Sequence, residues 1–250
     1  MFGSRRNVTG RLKHSARARR TGNPVPALAL GLVLSGFGFV VFAAPAAAVA
    51  CDADTDCFYM PDTVKQLLDA DSTRRFPGLL VLHCNGAMES DLDSFRLVGD
   101  SLCWAMASCH ATRNHRDMML NDSNIVTTTR KFLEDYPVDP ARLAVFGYSG
   151  QAVQALAAMF LHPEMFRGVA ATCAHAAALD LAVWETLNGH YVYLITRTRD
   201  WNRADNEQMA QAFSSHGVII ELVVTPGEHS PGPRQELLAG CRWLADRFGR

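Results

Sequence analysis

The segment RLAVFGYSGQAVQALAAMFL, residues 142–161, joins a strand-like run to a helix-like run through the short sequence GYSGQ. A serine placed between two such runs, with Gly147 two positions before it, is typical of a nucleophile elbow. This tight turn lifts the Ser149 hydroxyl above the sheet, where the N–H groups and positive dipole of the helix N-terminus face it. The competing interpretation is a serine that only caps the helix. These few residues do not decide between the two.

Gln151 stands where the G-x-S-x-G motif has its second glycine. That glycine normally lets the helix pack closely on the strand, so a Cβ at this position predicts a wider or strained turn. Gly150, whose N–H would bind an oxyanion, is present. The departure therefore concerns geometry more than proton transfer, and we expect a Gln151→Gly variant to keep or raise turnover.

Short β-like runs alternate with helical runs from residue 78 onward, which predicts an α/β fold with a mostly parallel sheet and helices on both faces. We expect this domain to span 78–250, preceded by a linker or cap at 51–77. The predicted strands are 78–83, 104–111, 142–147, 168–173, 191–197 and 218–225, and the predicted helices are 121–136, 150–163, 203–217 and 234–248.

Two further residues fit a catalytic triad with Ser149. Asp200 follows the strand 191–197, and His229 follows the last strand. The order Ser, Asp, His, each just beyond the carboxyl end of a strand, is that of the α/β-hydrolases. Asp205 is the nearest rival acid, and Asp200 is preferred because it follows its strand more closely.

The chain resembles a known family in YPVDPARLAVFGYSG, ALAAMFLHPEMFRGVAA, TRDWNR and PGEHSP. These stretches are similar to the esterase branch of the α/β-hydrolases that includes secreted polyhydroxybutyrate depolymerases and feruloyl esterases. The resemblance covers about 78–250. It is most specific in the elbow GYSGQ and in PGEHSP, the stretch around His229 that is called the histidine loop below. It implies Ser149 as nucleophile, His229 as general base and then acid, and Asp200 as the residue that orients the imidazole.

The strand that ends in HCNGAM, residues 83–88, occupies the position of the glycine-rich oxyanion loop of such esterases. Cys84 and Asn85 depart from the glycine-rich version. We expect an oxyanion hole formed by the N–H of Gly150 and one from the loop, with Cys84 and Asn85 as candidates and Gly86 or Ala87 as alternatives. A plain turn with Gly86 at positive φ is the other interpretation.

The stretch ATRNHRD, residues 111–117, follows a strand and is either a solvated loop or part of the cleft, where Arg113, His115 or Arg116 would meet an acidic substrate group. The short connection between the strands 168–173 and 191–197 favours an open cleft. The histidines and cysteines match no zinc spacing, so we predict no metal and no cofactor. The expected partner is a small or polymeric ester, not a nucleic acid.

The first fifty residues have the pattern of an export signal of bacterial type. They hold seven of the 24 Lys and Arg and none of the 25 Asp and Glu, which leaves 17 bases against 25 acids in 51–250. A long apolar stretch and small residues follow the basic start. The segment 26–50 is also long enough for an uncleaved membrane anchor, and Cys51 is either a lipidated first residue or the partner of Cys57 in a disulfide.

The sequence thus predicts an exported serine hydrolase acting on carboxylic esters through an acyl-enzyme. One alternative is a non-catalytic hydrolase-like domain used for binding or structure at the cell surface. In that case Gln151 would mark an elbow that no longer has catalytic geometry. Another is a serine peptidase, which would use the same triad.

Overall fold

The computed structural model describes residues 58–86 and 92–249 of the chain. Residues 1–50, for which export is expected, both cysteines at 51 and 57, and Ala87 lie outside the described residues, so the expectations that concern them stay predictions. Within the described residues, each helix is too short or too polar to cross a bilayer.

The described residues form one sheet of seven strands with the spatial order β1-β3-β2-β4-β5-β6-β7. Strand β1 pairs antiparallel with β3, and every other neighbouring pair is parallel. The strands are β1 Phe58–Tyr59, β2 Phe76–Leu82, β3 Ala105–Cys109, β4 Val138–Tyr148, β5 Gly168–Thr172, β6 Tyr191–Arg199 and β7 Ile219–Glu228.

Helices occupy both faces of the sheet. They are α1 Asp62–Ala70, α2 Arg96–Leu102, α3 Met118–Asp135, α4 Gly150–Leu161, α5 Arg203–Ser215 and α6 Arg234–Phe248, with two short 3-10 helices at Ala176–Leu181 and Trp184–Leu187. The predicted alternation of parallel strands and helices is therefore confirmed.

The central strands are apolar throughout because each of their faces is covered. In β4, Leu143 and Val145 face a core shared with α3, α4 and α5, whereas Ala144 and Phe146 face a second core shared with α2 and α6. Successive side chains of a strand point to opposite faces, so a continuous apolar run fills two cores. This double burial fixes the register of β4 and the position of the turn that follows it.

The structure differs from the expected boundaries at the N-terminal side of the domain. Residues 58–77, expected to be a linker or cap, supply β1, α1 and the start of β2. The two residues of β1 are too few to show a periodic pattern, and their place in the sheet depends on pairing with β3. Strand β4 also begins at Val138 rather than Arg142, and α3 begins at Met118, where Asp117 accepts the N–H groups of Met119 and Leu120.

Candidate active site

Ser149 lies in a sharp turn between β4 and α4 with φ +55° and ψ −124°, a conformation that side-chain-bearing residues rarely adopt. Its N–H donates to the carbonyl of Thr172 on the neighbouring strand over 2.9 Å. A Cβ at Gly147 would lie 2.0 Å from the backbone oxygen of Gln151, so the turn closes only with glycine there. The nucleophile elbow predicted from GYSGQ therefore has the expected shape.

The structure brings Ser149, His229 and Asp200 together beyond the carboxyl ends of β4, β6 and β7. The Nε2 atom of His229 lies 2.9 Å from the Ser149 hydroxyl oxygen. Its Nδ1 atom lies 2.7 Å from an Asp200 carboxylate oxygen. A proton on Nδ1 donates to the carboxylate and leaves Nε2 free to accept the serine proton, which is the geometry that general-base activation of a hydroxyl requires.

Asp200 is held as a carboxylate by several donors. One of its oxygens accepts the N–H of Asn202 over 3.0 Å, and the other accepts the Thr196 hydroxyl over 2.8 Å. Burial by itself would raise the pKa of Asp200, but the hydrogen bonds, led by the one from the Asn202 N–H, outweigh it and hold that pKa below its usual value. The anion next to His229 is thus fixed in both charge and direction.

Asp205, the rival acid, points elsewhere. Its carboxylate accepts the N–H of Ala176 over 3.1 Å at the start of the first 3-10 helix. The loop around Asp200 is tied to β5 by Asn202, whose side chain donates to the carbonyl of Cys173 over 3.1 Å. The preference for Asp200 over Asp205 agrees with this geometry.

The histidine loop after β7 rests on Arg197, a residue that the sequence did not single out. Its side chain is only 2% exposed and lies 2.5 Å from a carboxylate oxygen of Glu236. The same guanidinium donates to the carbonyl of Ser230, the residue after His229, over 3.3 Å. Its only trace in the sequence is a charged residue that directly follows the apolar run of β6, which does not by itself indicate burial.

Two thiols near the triad stay protonated. Burial raises the pKa of Cys173 to about 12 and also raises the pKa of Cys84. Among the described residues, Cys173, Asp200 and His229 form the one group placed to hold a metal ion. A metal there would have to replace the 2.7 Å hydrogen bond between His229 and Asp200 and deprotonate a buried thiol, so these residues suit proton transfer better than metal binding.

The candidate oxyanion hole is built from two elements that meet at the elbow. Gly150 is the first residue of α4, so no carbonyl of its own helix accepts its N–H. Cys84 and Asn85 are the central residues of a turn closed by the Gly86 N–H and the His83 carbonyl, with Gly86 at φ +79°. The Cys84 thiol donates to the carbonyl of Tyr148, which fixes this turn beside the nucleophile.

Gln151 is buried and contributes a hydrogen bond to the structure around the candidate oxyanion hole. Its side chain is 1% exposed and donates from Nε2 to the side-chain oxygen of Asn114 over 3.3 Å. The backbone N–H of Asn114 in turn donates to the carbonyl of Cys84 over 2.7 Å. A Cβ at Gly150 would lie 2.5 Å from that Asn114 oxygen, so a larger residue there would displace the Asn114 side chain. The glutamine therefore links the elbow to the oxyanion turn through one intervening residue.

A cleft of about 460 Å³ opens over Ser149. The exposed ring of Trp201 stacks on the imidazole of His229, with ring centroids 3.8 Å apart and planes 12° apart. Such a face-on ring favours the imidazolium that forms during general-base catalysis. The cleft is lined among others by Arg113, Asn114, Met118, Gln154, His175 and Trp201.

No protein-family model matches the chain, and no curated protein matches it in sequence. Solved structures share its fold. The chain is similar to the fluorophosphonate-binding serine hydrolase FphF of Staphylococcus aureus (14% identity, TM-score 0.60, 75% of this chain and 90% of that one). It is also similar to a ferulic acid esterase (16%, 0.61, 77% and 91%) and to a carboxylesterase from Mesorhizobium loti (18%, 0.56, 67% and 88%). At these identities the likeness concerns the arrangement of strands and helices, and it confirms the fold class expected from the sequence.

Proposed function

We propose that this chain, which has the α/β-hydrolase fold, is a serine hydrolase that cleaves carboxylic esters through an acyl-enzyme on Ser149. The observation that carries the proposal is the chain of hydrogen bonds from the Ser149 hydroxyl through His229 to Asp200, with lengths of 2.9 and 2.7 Å. The serine hydrolases and esterases of like fold support it.

The reaction has two halves in this site. His229 accepts the Ser149 proton at Nε2 while the serine oxygen attacks the ester carbonyl, and the imidazolium then donates that proton to the leaving alcohol. In the second half a water molecule attacks the acyl-enzyme. His229 accepts the proton of the water and then donates it to the Ser149 oxygen as the carboxylic acid leaves. Asp200 keeps the second imidazole proton on Nδ1 and stabilises the imidazolium.

The developing oxyanion would be bound by the N–H of Gly150 and by an N–H of the turn at Cys84 and Asn85. Loss of one such donor typically costs a factor of about a hundred to a thousand in kcat. The thiols of Cys84 and Cys173 do not compete with Ser149 as nucleophiles because burial raises the pKa of each.

Pre-steady-state hydrolysis of 4-nitrophenyl butyrate tests the proposal. Where deacylation is slower than acylation, an acyl-enzyme gives a burst of nitrophenolate that approaches one equivalent per folded chain, followed by a slower steady rate. A folded chain that releases nitrophenolate no faster than buffer would refute the proposal and favour a non-catalytic binding domain.

We further propose that the enzyme is exported, either as a cleaved chain or held at the membrane through residues 26–50 or a lipidated Cys51. The support is the basic start and apolar run of residues 1–50. Intact-mass measurement of the chain recovered from the cell envelope and the medium of an expressing bacterium checks this. Full-length chain found only in the cytosol would contradict it.

A further inference from the structure

The loop of residues 111–117, called here the arginine loop, is a built part of the cleft. The Asn121 side chain, 3% exposed, donates to the Arg113 carbonyl over 3.0 Å and accepts the Arg113 N–H over 3.3 Å. The Asn114 N–H donates to the Cys84 carbonyl, and Thr112 donates to the Cys109 carbonyl. The backbone of the loop is therefore fixed at several points, and so are the Cα positions that carry its side chains.

This fixed loop presents two guanidinium groups without a counter-ion. Among the described residues, neither Arg113 nor Arg116 lies within 4.0 Å of a carboxylate, and Arg116 is oriented by a 2.5 Å bond to the carbonyl of Ala111. Asp117, the nearest acid along the chain, uses its carboxylate to cap α3. His115 stands between the two arginines with φ +60°, a strained value for a residue with a side chain.

The described residues of the cleft add no negative charge that would neutralise these groups. None of its described lining residues is Asp or Glu, and the triad acid Asp200 is sealed beneath His229 with a side chain 0% exposed. The N-terminus of α4 directs further positive potential to the same space. Trp201 and Met118, both exposed, give the cleft apolar surface.

We propose that the cleft selects esters that carry a free carboxylate, which Arg113 and Arg116 bind while the apolar chain lies against Trp201. This inference rests on the proposed ester hydrolysis and names its substrate class. A guanidinium binds a carboxylate through charge-assisted hydrogen bonds, which discriminate against a neutral group of the same size.

Matched substrates test the inference. The mono-4-nitrophenyl ester of glutaric acid and 4-nitrophenyl valerate have the same chain length and differ in a terminal carboxylate against a methyl group. We expect the kcat/KM ratio of hemiester to valerate to fall about tenfold to a hundredfold in an Arg113→Gln/Arg116→Gln variant. Arg130→Gln is the control. It removes the same kind of charge from an exposed position of α3, about 20 Å along the helix axis from the end of the arginine loop. It should leave the ratio at the wild-type value.

A binding measurement separates this inference from the proposed function. Glutaric acid mono-4-nitroanilide, an amide analogue of the hemiester, is titrated into Ser149→Ala protein with and without the two arginine substitutions. Weaker binding in the arginine variant supports the carboxylate site even if no ester is hydrolysed. An unchanged affinity together with an unchanged hemiester to valerate ratio would overturn the inference while leaving ester hydrolysis intact.

Discussion

The side chains of His229 and Asp200 are 5% and 0% exposed, whereas Arg113, in the arginine loop that lines the cleft, is exposed to solvent. The triad side is joined by hydrogen bonds of 2.7 to 2.9 Å and rests on buried support such as Arg197. The arginine loop is fixed in its backbone, and neither of its guanidinium groups pairs with a carboxylate of the described residues. The proposed function therefore assigns bond breaking to buried, hydrogen-bonded side chains, and the further inference assigns substrate selection to side chains in contact with solvent.

The largest effect is expected on the triad side. Ser149→Ala and His229→Ala should each lower kcat by on the order of a million-fold, because the nucleophile and its base act as one unit. The double variant should be scarcely worse than either single variant. Steady-state hydrolysis of a 4-nitrophenyl ester measures all three. Two losses that multiplied would show that the residues act separately.

Asp200→Asn should cost roughly ten-thousand-fold in kcat, because an asparagine no longer holds the proton on Nδ1 of His229. Asp205→Asn is the matched control, since it changes an acid in the same segment whose carboxylate accepts the Ala176 N–H rather than facing His229. It should retain most of the activity. A larger loss in the Asp205 variant would move the triad acid along the loop.

Gln151 connects the two sides of the cleft, and the structure alters the expectation formed from the sequence. Gln151→Gly breaks the link from the elbow through Asn114 to Cys84, so we expect kcat to fall about tenfold through misplaced oxyanion donors. The free energy of unfolding should fall by about 1–2 kcal/mol from the glycine and the lost bond.

Asn114→Ala provides the matched second variant for Gln151. Because the two side chains form one bond, the double variant should lose less than the sum of the single losses in the free energy of unfolding. Urea titration and kcat measurement check both quantities. A Gln151→Gly protein with higher turnover and unchanged stability would restore the simpler elbow expected from the sequence.

The smallest effect is a pH dependence of stability. The pKa of Asp200 is lowered in the folded chain, so its carboxylate contributes stability above the unfolded pKa of about 3.9. That contribution is lost as the pH falls from there through the folded pKa. Urea titrations at a series of acidic pH values should show a steeper loss in wild type than in Asp200→Asn. Parallel curves would mean that the carboxylate is not stabilised by its neighbours.

The sequence predicts the triad side of the cleft better than the opposite side, for a physical reason. Ser149, Asp200 and His229 each follow a strand whose apolar run is easy to recognise, and parallel strands bring their carboxyl ends to one edge. The links from Gln151 to Asn114 and from Asn114 to Cys84 join residues far apart in the chain. No local periodicity encodes them.

Short or buried elements escape sequence reasoning for a related reason. Strand β1 has only two residues and exists through its pairing with β3. Arginine is usually a surface residue, yet the Arg197 side chain is only 2% exposed because Glu236 on α6 compensates its charge. In both cases a distant partner, rather than the local pattern, determines the structure.

The most direct test of the account is covalent labelling of the wild-type chain with a fluorophosphonate, followed by intact-mass and peptide mass spectrometry. The account predicts one adduct per chain on the peptide that contains Ser149, no adduct in Ser149→Ala, and much slower labelling in His229→Ala, since the probe needs an activated hydroxyl. A folded wild-type chain that stays unlabelled, or is labelled equally in Ser149→Ala, would contradict the account.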